Sequence, residues 1–525
     1  MTRVLLRTSA ILCLCAVVVG LLWSAAGSFA AAQKRNKDFR YLSEALDPLE
    51  NHAPSVSWQR PATNLVRRLT RSDEVEIGAA LTDAWRAYAA VSYNGQTTIL
   101  ADHFTGIALA RAELSAQEAL RDGSQMVVLE EELRPTFVHL DGSVIQLDAL
   151  MTAVRFRIED GSIVHYELSL DAALTTLTRD TTGWRILSHE RASSRPVKLA
   201  KSHIYALPFA KGVNYYPSET PWRAFWPEFD ARVISEDFNR IAALGCNSVR
   251  IFLPAADFAN TEQGIRNLRN LSVLLELAED RQLSVVATLF DLKSSYRPEV
   301  WADDVAYLRR VLPVLASSSA VSLVDLKNEP DLDRPAYREG LVDAWLTTVS
   351  SMARKIAPSL TLTIGWSDAE SAADLIELVD VVSYHEYGDA STVSERFDNL
   401  RSLAGSKPII VTEIGSSSYN LILGFPSSEA KQADLIGKIL PQLTQADGIF
   451  IWALNDFSTV DSNAVGTSPW SRLIQSQFGL FDGSGNIKKS GVLIHKYFTG
   501  RGRVSELPIH RVGPLGFLKK HPSPK

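Results

Sequence analysis

The sequence predicts an α/β protein whose larger part is a (β/α)8 (TIM) barrel, preceded by a smaller α+β domain. Three observations carry this reading. At 525 residues the chain exceeds one ordinary domain. From about Lys201 onward short β-branched runs alternate with helical text, the pattern of a parallel sheet wrapped by helices. Eight such runs can be counted, and eight parallel strands close a barrel whose functional end is the C-terminal end of the strands.

The runs are Gly212 to Tyr216, Ser248 to Leu253, Ser284 to Asp291, Val321 to Glu329, Thr361 to Trp366, Val379 to Tyr387, Ile409 to Glu413 and Gly448 to Asn455. One intervening helix is legible in detail. Ser235-Glu236-Asp237 reads as its N-cap region, Phe238, Ile241 and Leu244 as its buried stripe, and Gly245 as its stop.

Composition bounds the function. Apolar residues make up 46% and charged residues 22%, as in a folded globular protein, and the net charge of −6 offers no basic face to nucleic acid. The three cysteines are Cys13, Cys15 and Cys246, too few for a disulfide framework. Arg3 and Arg7 precede an uncharged run from Thr8 to Ala32, after which Lys34, Arg35 and Lys37 resume the charge. Residues 1–33 therefore read as an export signal or a membrane anchor. Either way the body lies outside the cytoplasm, periplasmic or secreted, or held at the inner membrane by residues 8–32.

Residues 34–69 are polar and proline-bearing and read as a linker. In the first domain, 70–198, Ile77, Leu81, Ala84, Trp85 and Tyr88 recur at helical spacing, and helical text runs to about Leu120. Period two then takes over in Thr136 to Leu140, Val144 to Ile158 and Ile163 to Leu177, with Asp141-Gly142 and Asp160-Gly161 as hairpin signals and Gly183-Trp184-Arg185-Ile186-Leu187 as the closing strand. This order and that closing strand resemble the nuclear-transport-factor-2-like (NTF2-like) cone fold. His139, His165 and Asp148 fall on alternating strand positions and read as a solvated face rather than a catalytic cluster, so the domain is expected to position, cap or oligomerise the barrel.

Chemistry concentrates at two strand ends. The apolar run Val321, Leu323, Val324, Leu326 is cut off by Pro330 directly after Glu329, and Pro408-Ile-Ile-Val-Thr-Glu-Ile-Gly415 ends a second buried strand in Glu413. Two strands thus deliver two carboxylates to one end of the sheet. A pair that protonates a leaving oxygen and attacks or stabilises an oxocarbenium-like centre is what glycoside hydrolysis requires.

Asn328-Glu329-Pro330 followed by Thr412-Glu413-Ile414-Gly415 resembles the acid/base and nucleophile strands of clan A glycoside hydrolases, most closely the cellulase-like family 5, over roughly residues 205 to 500. The resemblance implies roles for other strand ends. Arg250, after Gly245-Cys246-Asn247, matches an arginine that pairs with the nucleophile and favours its ionised form. Asn328 resembles the residue that binds the sugar 2-hydroxyl, His385 a proton-sharing or hydroxyl-binding group, Tyr387 the phenol on the nucleophile, and Trp452 the floor of the central sugar site. Leu289-Phe290-Asp291 departs from the family, which often has histidine at that strand end, and leaves Asp291 to take a sugar hydroxyl. Trp366 and the aromatics Tyr215, Tyr216, Trp222, Phe225 and Trp226 read as sugar platforms, or for the latter cluster as packing between domains, and Asn455 completes the substrate-binding set. Ser416 to Ser428 and Ser458 to Gln477 are long enough to wall a cleft. Phe478 to Gly483 and the helix Gly491 to Phe498 resemble the family's closing turn and last helix, and 501–525 form a basic, proline-rich tail.

The expected activity is retaining hydrolysis of a β-linked polysaccharide or oligosaccharide, with Glu413 as nucleophile and Glu329 as acid/base. No cofactor is called for, and no His and carboxylate cluster with metal-ligand spacing appears in the sequence. The rivals are a transglycosidase that remodels a glycan and a non-catalytic glycan-binding protein.

Overall fold

The computed structural model describes residues 55–61, 64–94, 97–197, 209–422, 425–465 and 468–500. The signal or anchor segment and the basic tail lie outside these residues, and no helix within them is long and apolar enough to cross a membrane.

The barrel closes as expected. Its strands are β6 (Ala210–Asn214), β7 (Ser248–Leu253), β8 (Ser284–Leu289), β9 (Val321–Asn328), β10 (Leu362–Trp366), β11 (Val382–Glu386), β12 (Ile409–Ile414) and β15 (Gly448–Ile451), each parallel to its neighbours, with β15 pairing back to β6. They are shorter than the sequence runs because the last residues of several runs turn outward to form the loops of the functional end. Val286, Leu323, Val381, Ile410 and Phe450 fill the opposite end of the interior as a separate apolar cluster. This apolar layer lies at the end of the barrel away from Glu329 and Glu413.

Helices α3 (Ala231–Ala243), α4 (Glu262–Glu279), α5 (Trp301–Ala316), α6 (Leu341–Ile356), α7 (Val393–Ala404), α8 (Glu429–Ile439) and α11 (Lys489–Thr499) surround the strands, while the short strands β13 (Asn420–Ile422) and β14 (Phe425–Pro426) and the short helices α9 (Ser462–Val465) and α10 (Pro469–Gln475) lie in the loops after β12 and β15. The stripe of α3 is buried as read, and Gly245, at φ +83°, follows its end. Its start is one turn earlier than the sequence suggested: Asp230 is the N-cap and accepts from the Arg232 backbone N–H. Asp237 sits inside the helix with its carboxylate against Tyr215, Arg240 and Asn455. A buried aspartate on the apolar face imitated a cap in the sequence.

The first domain is a five-stranded sheet in the order β1 (Ser55–Trp58), β2 (Ser124–Val138), β3 (Val144–Glu159), β4 (Ser162–Asp180), β5 (Gly183–Pro196), covered by α1 (Arg71–Asn94) and α2 (Gly106–Asp122). Two expectations change here. The stretch read as linker contributes β1, a four-residue edge strand parallel to β2. Strand β2 begins at Ser124, twelve residues before the period-two text was expected, because both faces of its first half are covered and alternation is lost.

Consecutive glutamates on β2 show the two faces. Glu131 points to the helices and is buried against Trp85 of α1. Glu130 points to the barrel and receives Arg309 of α5 and Lys355 of α6. The same interface packs Phe156 on Trp301, tilted by 36° with 5.6 Å between ring centroids, and joins Tyr166 Oη to Thr348 Oγ1 at 3.0 Å. The β3–β4 hairpin is tied down as well, since the Ile163 N–H donates to the Glu339 carbonyl at 3.1 Å. Glu339 belongs to the connection between Glu329 and α6, so the first domain grips the loop that carries one of the two carboxylates.

Candidate active site

Strict alternation along β9 and β12 would aim the wrong residues at the barrel axis. Leu323 and Asp325 face inward on β9, and period two would next turn Lys327 in and Asn328 out. Against β10, however, Asp325 pairs with Thr363 and Asn328 with Gly365, so β9 carries one extra residue. On β12, Val411 pairs with Tyr384 and Glu413 with His385, again with one extra residue, and Thr412 yields the inward position to Glu413. Two β-bulges therefore re-aim the site residues. Glu329 follows the first bulge at φ +49°, ψ +55°, a left-handed conformation rare for a residue with a Cβ, and its N–H is held by the Gly365 carbonyl at 2.6 Å.

Arg250 organises what the bulges deliver. From β7 its Nη1 donates to Glu413 Oε1 at 2.7 Å and Asn214 Oδ1 at 3.0 Å, and its Nη2 to Asp325 Oδ2 and Asn328 Oδ1, each at 2.8 Å. Burial alone would push this guanidinium down, but the Asp325 and Glu413 carboxylates outweigh it and hold it above its ordinary value. Asp325 also takes Thr288 Oγ1 at 3.0 Å and the Gly365 N–H at 2.8 Å. Sequence reasoning missed Asp325 and Asn214 as site residues. The signal for Asp325 was present: an acid inside the apolar run Val324-Asp325-Leu326 has to be paired.

His385 lies between the two carboxylates, with Nδ1 2.7 Å from Glu329 Oε1 and Nε2 3.6 Å from Glu413 Oε1. Tyr387 Oη donates to Glu413 Oε2 at 2.9 Å. One oxygen of each glutamate and a ring nitrogen of His385 all fall within 4.8 Å of one another. The fold thus assembles a group of metal-ligand type that sequence spacing did not show. The guanidinium and phenol already on Glu413 supply the positive charge and the donor that a cation there would replace.

Glu329 keeps 2% and Glu413 0% of its surface exposed, and Trp452, edge-on to Phe252 at 5.8 Å, keeps 3%. Long loops follow several of the barrel strands at this end. Those after β12 and β15 are joined, Ser418 N–H to the Gln477 carbonyl at 2.8 Å and Ser417 Oγ to the Ile474 carbonyl at 2.7 Å.

Several residues read as sugar contacts do other work. Trp366 points away from the axis, since Gly365 faces inward, and its ring is covered by the Arg334 guanidinium at 4.9 Å. Asn455 gives its amide to Asp237 Oδ2 at 3.2 Å and the Tyr216 carbonyl at 3.4 Å, outside the ring of site residues. Tyr215, Phe225 and Trp226 are core between β6, β7 and α3 rather than platforms or interdomain packing. Tyr216 stacks on Phe252 at 5.1 Å and donates to Asp291 Oδ2 at 3.0 Å, so the Asp291 carboxylate braces a tyrosine, and burial followed by that carboxylate pushes the phenol well up. Trp222 packs on Phe457 at 4.8 Å and is buried. Loops offer little water-free packing of their own, so their aromatics close on one another. In the first domain His139 pairs with Asp141, Asp148 with Arg134, and His165 stands apart, so the three do not form a cluster.

A family model described as glycosyl hydrolase catalytic core matches residues 356–491. That stretch is similar to such a core. It holds His385, Tyr387, Glu413 and Trp452 but not Arg250, Asn328 or Glu329, whose places rest on the geometry above. No curated protein matches the chain. Among solved structures it is similar to the exo-β-1,4-mannosidase Op5Man5 from Opitutaceae bacterium strain TAV5, at 20% identity over 56% of this chain and 59% of that one with a TM-score of 0.46. The chain thus spans under two thirds of that mannosidase. It is also similar to GH5_18 from Streptomyces cattleya in complex with GlcNAc, at 18% identity over 56% of this chain and 80% of that one with a TM-score of 0.46. A third likeness is to Ruminococcus gnavus β-glucuronidase, at 14% identity over 71% of this chain and 68% of that one with a TM-score of 0.44.

Proposed function

We propose that the barrel is a retaining β-glycosidase acting on a β-linked glycan outside the cytoplasm, of the family 5 type. The observation that carries the reading is that one carboxylate oxygen of Glu329 and one of Glu413 lie within 4.8 Å of each other, with Arg250 and Tyr387 on Glu413 and His385 on Glu329. Retaining enzymes hold their carboxyls about 5 to 5.5 Å apart, whereas inverting enzymes leave about 6.5 to 9.5 Å for a water.

Glu413 Oε2 or Oε1 attacks the anomeric carbon while Glu329 passes its proton to the departing oxygen; the C–O bond to the leaving group breaks as the C–O bond to Glu413 forms. Glu329, now ionised, takes a proton from the incoming water, which displaces Glu413. Arg250 and Tyr387 hold the attacking carboxylate in one orientation, and both can follow its loss and recovery of charge. His385 Nδ1 at 2.7 Å from Glu329 lets imidazole and carboxyl share the proton that moves. Asn328 Oδ1 is engaged by Arg250, which fixes the amide so that Nδ2 is left to meet a sugar hydroxyl. The run Thr8 to Ala32 supports the extracytoplasmic setting, and two helices on an antiparallel sheet support an NTF2-like accessory domain.

The test is product stereochemistry. Proton NMR of aryl β-glycoside or β-glucan and β-mannan digests should show the β-anomer first, and initial α-anomer would refute retention. Glu413→Gln should abolish turnover yet leave glycan affinity nearly intact. A labelled acceptor built into longer chains would assign transglycosylation instead of hydrolysis.

A further inference from the structure

The first domain holds a cavity of about 650 Å³ between α1, α2 and the face of the sheet that looks away from the barrel. Nothing in the proposed glycosidase chemistry uses it. Its size lies within the range of small-molecule sites, about 300 to 1,000 Å³.

The walls combine aromatic rings with paired polar groups. Trp85 and Phe104 stand edge-on to each other at 6.1 Å, and His189 packs edge-on to Trp85 at 5.0 Å. At one side Asp171, wholly buried, accepts from Ser194 Oγ at 2.6 Å and from Arg155, whose Nη1 also reaches Ser169 Oγ at 2.5 Å. The lining carries four arginines and four carboxylates, so it selects for no net charge. Burial pushes His189 down to about 4, against a smaller opposing pull from Asp171, so the imidazole is neutral near pH 7. Its Nδ1 is 2.9 Å from Thr175 Oγ1. A neutral imidazole and a charge-compensated arginine and aspartate offer donors and acceptors together, beside flat apolar rings. That combination suits a neutral polyhydroxylated ligand: rings pack on pyranose C–H faces while hydroxyls take the polar edges.

Position points the same way. Arg157, His165 and Glu167, from the two strands of the β3–β4 hairpin, line the cavity, and the tip of that hairpin is bonded to Glu339, ten residues beyond Glu329. Cavity and catalytic loop thus share one support.

We propose that this cavity is a second carbohydrate-binding site, which holds a neutral segment of the same β-glycan chain that the barrel cleaves. The chain is thereby anchored at one domain and cut at the other. This rests on the glycosidase reading for the identity of the polymer, but not for the binding itself.

The experiment uses the full chain carrying Glu413→Gln, titrated calorimetrically with cellohexaose, mannohexaose and laminarihexaose. Ala112→Trp, added on α2, fills the cavity without removing a polar group. The expected result is that one of the hexasaccharides binds and that Ala112→Trp abolishes one equivalent of that binding. In the otherwise unaltered protein, Ala112→Trp should raise KM for polymer about tenfold with kcat and aryl-glycoside turnover unchanged. Should Ala112→Trp not fold, His189→Leu removes the polar edge at similar volume and should show the same loss. Loss of a binding equivalent in a protein that proves inactive would sustain the second site while the glycosidase reading falls. Unchanged stoichiometry in the cavity variants, no hexasaccharide binding at all, or cavity occupancy by a fatty-acid probe alone would overturn it.

Discussion

Arg250 and Asp325 form an ion pair of 2.8 Å in which neither side chain has any exposed surface, and the space beside them exists because residue 365 is glycine. A Cβ on Gly365 would stand 2.7 Å from Asp325 Oδ2 and 3.2 Å from Arg250 Nη2. The pair fixes the guanidinium whose other fork holds Glu413, so Asp325, with no direct bond to Glu413, sets the posture of that carboxylate.

Asp325→Ala should therefore be severe in two separable ways. Removing one partner of a buried pair costs about 3 to 5 kcal/mol, read as a lower denaturant midpoint. Arg250 would also settle toward Glu413, and kcat should fall about a hundredfold in the fraction that remains folded. Gly365→Ala should act more mildly, about 1 to 3 kcal/mol, by overpacking the same space. Equal kinetics in wild type and Asp325→Ala would show that Asp325 does not position the nucleophile.

Tyr387→Phe keeps the ring and deletes the hydroxyl that donates to Glu413 Oε2 at 2.9 Å. One charge-assisted hydrogen bond is worth about 1.5 to 3 kcal/mol, so kcat on an aryl glycoside should drop roughly ten- to a hundredfold with little change in unfolding temperature. A larger loss of stability than of rate would make Tyr387 a packing residue.

Glu329→Gln removes the proton donor while its neighbours remain. Turnover of natural glycans should fall by about 10² to 10⁴, and aryl glycosides with acidic phenol leaving groups should lose far less, because their departure needs little protonation. Similar losses for both substrate types would assign the acid role elsewhere.

Glu130 and Glu131 should give opposite pH responses although they are sequence neighbours. Burial, only slightly relieved by the Trp85 indole, raises Glu131 from 4.5 to about 7. Its folded form holds the proton more tightly than the unfolded chain, so stability falls as pH rises from about 4.5 to 7, by ~3 kcal/mol, and stays low above that. Glu131→Gln should remove this loss, raising the urea midpoint at pH 8 and leaving it nearly unchanged at pH 4. Glu130 behaves in reverse: burial opposes ionisation, but Lys355 and Arg309 outweigh it and hold the carboxyl below its ordinary value. Its contribution is present above about pH 4.5 and lost as pH falls through the lowered value. Glu130→Gln should cost about 1 to 3 kcal/mol at pH 8, since Arg309 is partly exposed, and progressively less as pH falls through the lowered value of Glu130. Parallel pH profiles for the two variants would refute the assignment of their faces.

Much of the barrel was legible because parallel strands buried on both sides are written as short apolar runs, and each run ends where a polar residue must meet the loop. Glu329, Glu413, Asn328, His385 and Tyr387 lay at those ends, Arg250 lay inside the second run, and all six converge in the structure. Aromatic residues misled: Trp366 and Trp226 sit in sequence where platforms would, yet one is capped by Arg334 and the other donates to the Phe252 carbonyl inside the core. Loop aromatics look alike whether their partner is a sugar or a neighbouring helix. Edge strand β1 was hidden because four residues paired to a distant strand carry no periodicity.

The order of strands and helices and the carboxylates that end the fourth and seventh barrel strands were properties of the sequence alone. Only the folded chain decided that Asn328 and Glu413, not Lys327 and Thr412, face the axis. The cause is one extra residue in each of β9 and β12, stabilised by register against the neighbouring strands. Register is a relation between segments tens of residues apart, so no local pattern in either segment records it.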